Sequence, residues 1–282
     1  MSARTLLLTT LVMLTFAGNS LLCRAALRDA SIDPASFTTL RLVSGSLALW
    51  LLLRLGSSKR PAATGTGSPY GAIALFVYAA ALSFAYVGLD AGAGALLLFG
   101  AVQLSMVAWG LWRGERLGAT QLVGMLLAIG GLVALLLPGS HAPSLGVSLL
   151  MLLSGAAWGA YSLLGRGTRD PLSSTASNFL LASPLAILLS LAMFGSFHWS
   201  PAGVLYAVLS GALTSGIGYA VWYTVLPRLA AIQAASVQLC VPLLTAVAGS
   251  LLLGEALTLH LLLAGAAILG GVALVLRARQ AS

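Results

Sequence analysis

The sequence predicts an all-α membrane protein of ten transmembrane helices in two inverted five-helix repeats. Three observations predict it: an apolar composition, evenly spaced hydrophobic runs, and an internal repeat. Hydrophobic residues make up 59% of the 282 and charged residues 7%. A water-soluble domain needs roughly 25% charged residues to cover its surface. A chain facing hydrocarbon has no such need. The net charge of +8 comes from 14 Lys and Arg against 6 Asp and Glu. It is read by position rather than as a nucleic-acid surface, because short cytoplasmic loops collect Lys and Arg. Cys23 and Cys240 both sit in apolar runs and are read as small buried hydrophobes. The 32 glycines suit close helix packing in a bilayer.

About twenty apolar residues cross a bilayer as a helix. Breaks at charges, Gly and Pro divide the chain into spans at 5–27, 35–53, 70–89, 92–112, 119–138, 144–164, 173–194, 201–225, 230–253 and 257–276. The first stretch has one Arg before an apolar run, as a secretory signal does. Similar runs recur to the C-terminus, so it is read as a retained span. No separate soluble domain and no long tail are expected. The longest connection, from Arg54 to Pro69, is rich in Gly, Ser, Pro and Thr and is expected to be mobile.

Orientation follows from the cations. With the N-terminus inside, Arg4, Arg54, Lys59, Arg60, Arg113, Arg116, Arg166, Arg169, Arg228, Arg277 and Arg279 all fall inside. Only Arg24 and Arg28 fall outside, with the acids Asp29, Asp33, Asp90 and Glu255. The bias predicts both termini in the cytoplasm and a multi-pass protein of the cell (inner) membrane.

The repeat is short but ordered. Gly114-Glu115-Arg116-Leu117 recurs as Gly254-Glu255-Ala256-Leu257, an offset of 140. The same offset pairs Gly130-Gly131 with Gly270-Gly271, and Ala17-Gly18 aligns with Trp158-Gly159 at 141. Residues 1–138 and 143–277 are therefore expected to be two copies of one unit. Each copy holds five spans, an odd number, so the second enters the membrane from the opposite face. Inverted copies of this kind form a recurrent transporter plan.

The ten spans, the Trp158-Gly159 pair and the Gly-Glu-x-Leu element before a Gly-rich span resemble the EamA branch of the drug/metabolite transporter superfamily. Arg41 in the second span and Pro242 in the ninth also resemble that family's pattern. The chain departs from it at Ala17, where a Trp is common, and at Val102, opposite Pro242 of the second copy. Within the branch it is similar to YddG-type amino-acid exporters. The resemblance implies export of amino acids, aromatic or other neutral ones, or of related metabolites or drug cations.

Polar residues inside the spans are the candidate site. Ser154, Trp158, Tyr161, Ser162 and Gly165 recur at three- and four-residue steps, which places them on one helix face. They line a solute path or, alternatively, Ser and Gly pack against neighbouring helices and Trp and Tyr belong to an interfacial belt. Asn19, Tyr78, Gln103, Tyr219, Trp222 and Gln238 add aromatic faces and amide dipoles without fixed charge. That is suitable chemistry for a neutral or zwitterionic solute. Asn178 in the seventh span is read either way.

Arg41 lies about two turns from the outer edge, at ~1.5 Å per residue. It is expected to snorkel to the interface, the alternative being a gating or carboxylate-binding role. Glu115 and Glu255 each precede an apolar span and are expected to satisfy helix N-terminal donors. Pro242 is expected to interrupt the ninth span as a hinge or kink. No acid lies mid-membrane and the three histidines fall at span ends or loops, so a facilitator is expected rather than a proton-coupled pump.

A carrier of phosphorylated sugars would need paired cations, and only Arg41 is available. No HExxH, Ser/His/Asp set or metal cluster marks an enzyme, and no polar filter marks a channel. The expected partners are a small-molecule substrate and the lipid bilayer, with no nucleic acid, no cofactor and a monomer sufficient.

Overall fold

The computed structural model describes residues 3–56, 67–114, 118–137, 143–165, 168, 170–225 and 237–278. Among them ten helices follow one another. They are α1 (Ala3–Arg28), α2 (Pro34–Gly56), α3 (Pro69–Tyr86), α4 (Ala91–Trp112), α5 (Ala119–Leu136), α6 (Leu145–Leu164) and α7 (Pro171–Ala192), then α8, α9 (Cys240–Leu253) and α10 (Leu259–Ala278). Helix α8 runs through three continuous segments: Pro201–Val208, the π-helical Leu209–Ile217, and Gly218–Val225. Nine of the ten are long and apolar enough to cross a membrane. The described residues contain no strand beyond an isolated bridge between Ile32 and Trp199. Glu115 and the connection 57–66 lie outside the described residues.

Helix starts follow local chemistry. Ser68 and Ser200 accept backbone N–H groups of Gly71 and Gly203, Asp170 does so for Ser173, and each cap is followed by proline at the first helical turn. These caps satisfy donors that have no intrahelical partner. Asp33 does the same for Ser36 at 2.8 Å.

The ninth helix is interrupted at Leu239. Its named helix opens at Cys240, after a turn at Leu239. Proline has no N–H, and its ring clashes with the carbonyl four residues earlier, here residue 238. Residues 237–238 are helical as well, so the break at Leu239 lies just ahead of Pro242, inside the span expected at 230–253.

The surface is inverted relative to a soluble protein. Leu251 is 78% exposed and Arg41 only 2%. Leu7, Leu55, Leu126 and Leu188 also point outward, while Thr38, Ser83, Ser148, Ser154, Ser210 and Thr245 are buried. Apolar surface faces lipid, and most of these polar groups find partners inside, the Thr245 hydroxyl and two nitrogens of Arg41 being exceptions. Near helix ends, Arg54 lies over Trp50 and Arg113 over Trp109, at 5.2 and 5.0 Å to the ring centroids. Such Trp and Arg pairs suit the membrane–water interface.

The principal packing pairs are regular. Helix α6 packs against α3 and α4, and α1 packs against α8 and α9. Helix α2 packs against α7 and α8, α7 also against α3, and α5 pairs with α10 at the periphery. Exchanging each helix for the one five places along returns the same set of principal pairs.

Glycines set the closeness of the α5–α10 pair. A Cβ on Gly124 would lie 2.6 Å from the carbonyl oxygen of Gly271, and one on Gly131 2.8 Å from Ile268. Gly130 and Gly270 face open space. Each Gly-Gly doublet thus turns one member to the partner helix and one away. Gly131→Leu is expected to lower stability by about 1–3 kcal/mol through overpacking. Gly130→Ala is expected to leave it unchanged or slightly raised, as measured by thermal unfolding in detergent.

Candidate functional site

Five helices bring aromatic rings to one point. Trp158 of α6 is the centre, with ring centroids 4.8 Å from Tyr78 of α3, 5.2 Å from Tyr219 of α8 and 5.5 Å from Tyr161. Phe16 of α1 meets Tyr219 and Trp222 edge-on, each at 6.0 Å, and Phe179 of α7 meets Tyr219 at 6.1 Å. Such tilted and edge-to-face pairs are the favoured aromatic geometries.

The rings border a cavity of about 30 Å³ whose wall also includes Asn19, Ser20, Phe99, Thr214 and Ser215. That volume is roughly one water molecule's share of liquid. The chamber is small, and an occupant the size of an amino acid enters only if helices move.

A polar network backs the rings. The amide oxygen of Asn19 accepts from Ser210 at 2.8 Å and Thr214 at 3.3 Å. Its nitrogen donates to the Tyr78 hydroxyl at 3.4 Å. Arg41 donates Nη2 to the same hydroxyl at 3.0 Å, with its guanidinium 5.0 Å from the ring centroid. Arg41 therefore turns inward rather than snorkelling to the interface. Ser154 fixes the backbone of α3 by donating to the Tyr78 carbonyl at 2.9 Å.

Ser210 and Thr214 stand in the π-helical part of α8, a backbone form frequent at functional sites. Gly211 in that segment lies against the Arg41 carbonyl and Ser44, where a side chain has no room. Small residues there hold α8 close to α2.

One arginine closes the end of the bundle where α1 finishes. Arg24 pairs through Nε with Glu255 at 2.9 Å and through Nη2 with Asp90 at 3.0 Å. Its Nη1 donates to the carbonyls of Tyr86 and Val87 at 3.0 and 3.1 Å. Glu255 also accepts the backbone N–H of Ala91 at 2.8 Å. Its carboxylate thus satisfies a helix N-terminus as expected of it, but that of α4 rather than of the helix that follows it. Beside it, Arg28 donates to the carbonyl of Leu253. The latch ties α1, the α3–α4 turn and the α9–α10 turn together. Toward the other end, a recess of about 860 Å³ lies between α3, α4 and α6, lined by Tyr70, Trp109, Trp112, Ala156 and Leu163 among others.

Of the residues singled out in the sequence, Trp158, Tyr78, Tyr161, Asn19, Tyr219 and Trp222 converge here, and Arg41 joins them through Tyr78. Gln103 does not. It lines a separate small void with Met125, Ala128 and Val272, between α4, α5 and α10. Gln238 precedes α9 and is not among the residues lining the cavity. Asn178 accepts the backbone N–H of Ser68 at 2.9 Å and secures the start of α3. Phe16, Phe179, Ser210, Thr214 and the latch role of Arg24 escaped the sequence reading. A signal for the aromatic pair was present, because Tyr78 and Tyr219 are 141 residues apart, the same offset as Ala17 and Trp158.

Fold and site together define a polytopic helical membrane protein with a small, aromatic chamber between its helices. Residues 145–277 match the EamA-like transporter family. The chain is 63% identical over 276 residues to "Uncharacterized protein PA1977" of Pseudomonas aeruginosa, covering 98% of this chain and 96% of that one. It is 25% identical to an "Uncharacterized transporter" of Archaeoglobus fulgidus, covering 88% of each. It is 28% identical to a "Probable terminal-alkyne amino-acid exporter" of Streptantibioticus cattleyicolor, covering 73% of this chain and 71% of that one. A crystal structure aligns over 98% of both chains with a TM-score of 0.69 at 20% identity, a likeness of fold. The chain belongs to the EamA-like transporter family, the EamA branch of the drug/metabolite transporter superfamily.

The network around Asn19 is testable. Asn19→Leu leaves Ser210 and Thr214 without their shared acceptor and Tyr78 without one of its donors. The expected loss is about 1 kcal/mol of stability, the scale of interhelical hydrogen bonds in membranes, read by thermal unfolding in detergent.

Proposed function

We propose that this protein exports amino acids, aromatic and other neutral ones among them, or related small metabolites, by alternating access and without a coupling ion. The observation that carries the reading is the small aromatic chamber itself. Rings and hydroxyls from α1, α3, α6 and α8 surround a contracted void, with a four-bond latch at one end and a wide recess toward the other.

The positive-inside bias favours the latch on the outer face and both termini in the cytoplasm, for a protein of the cell inner membrane. The chamber is then sealed from outside. Two inverted five-helix copies, 1–138 and 143–277, supply the symmetry on which two alternately open states rest. The exchange-invariant helix pairs support that division. So do Gly114 and Gly254, which end α4 and α9 with left-handed φ of +90° and +67°. No carboxylate lines the cavity, which favours a facilitator moving solute down its own gradient.

The name of the Streptantibioticus relative supports amino acids as the cargo class. A phosphorylated sugar is disfavoured, because phosphate wants paired cations and Arg41 stands alone. A drug cation would find aromatic faces but also the repulsion of Arg41.

The test is uptake of labelled amino acids into proteoliposomes, with and without a proton gradient. Saturable uptake independent of the gradient is expected. Trp158→Ala is expected to lower apparent affinity at least tenfold, about 1.4 kcal/mol. A protein that moves none of the twenty amino acids sinks the reading.

The latch has its own test. Cys23, fully buried and one residue from Arg24, reports its opening. With Cys240 replaced by Ala, an impermeant maleimide added outside is expected to spare Cys23 in the wild-type background. It is expected to label it after Arg24→Gln. Equal labelling in both refutes the outer seal.

A further inference from the structure

Resting on the transport reading above, we propose that Arg41 is the subsite for a carboxylate on the transported solute, and that selectivity is for this carboxylate rather than for an ammonium group.

Arg41 is 2% exposed, and among the described residues no carboxylate pairs with it. The described acids are otherwise engaged. Asp90 and Glu255 hold Arg24, Asp29 holds Arg28, Asp33 caps α2, and Asp170 caps α7. Two of the three guanidinium nitrogens, Nε and Nη1, are buried without a partner. A guanidinium carries five N–H donors and cannot shed its proton. Buried and uncompensated, it is among the costliest groups a membrane interior can hold. Its remaining bond, to the Tyr78 hydroxyl, and the face of the Tyr78 ring offset only part of that cost. What the site lacks is an anion.

The route for the anion runs through the chamber by way of Tyr78. Tyr78 is at once a wall of the cavity and the partner of Arg41. Displacing the Tyr78 ring, which the small volume of the cavity already demands for entry of a solute, uncovers the guanidinium on the same side. A carboxylate placed there meets charge-assisted donors, and an apolar body attached to it lies against Trp158 and Tyr219.

Nothing comparable awaits an ammonium. The cavity wall holds no acid, and the amide oxygen of Asn19 is already engaged by Ser210 and Thr214. The site therefore fits monocarboxylates with an apolar or aromatic body, α-amino acids being one member of that class.

The experiment compares four probes on the full chain in proteoliposomes: phenylalanine, phenyllactate, phenylalaninamide and phenethylamine. Phenylalanine and phenyllactate are expected to be transported with affinities within about threefold of each other. The amide and the amine, which lack the carboxylate, are expected to be at least tenfold weaker. Arg41→Gln is expected to bring the two carboxylates down to the level of the amine, and Arg41→Lys to retain part of the preference. Equal handling of the amine and the amino acid by the wild type overturns the proposal even if the variants fail to fold. So does a carboxylate preference that survives Arg41→Gln. Should none of the four cross the bilayer, the transport reading fails for this class. Thermal shifts by the same probes in detergent then decide Arg41 by itself: stabilisation by the two carboxylates alone upholds the subsite, and its absence overturns it.

Discussion

The hydroxyl of Tyr78 receives two donors, the amide nitrogen of Asn19 and the guanidinium of Arg41. Through it α1, α2 and α3 share one oxygen, and Asn19 passes the connection to α8. A bilayer core offers no water to take over these bonds. The arrangement of the four helices is therefore dictated by who can reach whom: a shift of α3 unpartners groups on two neighbours at once. The aromatic chamber exists because these backbones are held at distances that leave room for rings but for little else.

The two ends of the bundle are held by different physics. At the α1 exit a single guanidinium collects two carboxylates and two carbonyls, charge-assisted bonds near water. They are strong enough to hold three helix ends and exposed enough to break. Within the bundle, glycine contacts such as Gly211 on α2 and Gly155 on α4 allow backbones to touch, and packing of that kind slides without breaking anything charged. A ligand that shifts the protein between open states needs to differ only in its hold on the two arrangements.

The helices and their order were legible because twenty-residue apolar runs have few other meanings, and because glycine, proline and charge punctuate them. The aromatic site was legible in part. Trp158 and Tyr161 advertised themselves by helical spacing, whereas Phe16 and Phe179 went unmarked, since a phenyl ring carries no polar mark. Arg41 misled because snorkelling depends on where a helix face points, which spacing along one helix does not encode. Gln103 misled for the same reason. The partner of Glu255 was hidden because Arg24 is 231 residues away, and no local pattern records a contact of that range.

The π-helical segment of α8 has a mechanical meaning. A π turn accommodates an additional residue relative to an α turn, so Leu209–Ile217 stores slack inside an otherwise continuous rod. Drawing that slack out would rotate the distal part of α8 by about 100° for each residue taken up, with the helix still hydrogen-bonded on both sides. Ser210 and Thr214 sit within the slack and Tyr219 just past it. The helix thus contains a swivel between the groups that grip Asn19 and the ring that faces Trp158.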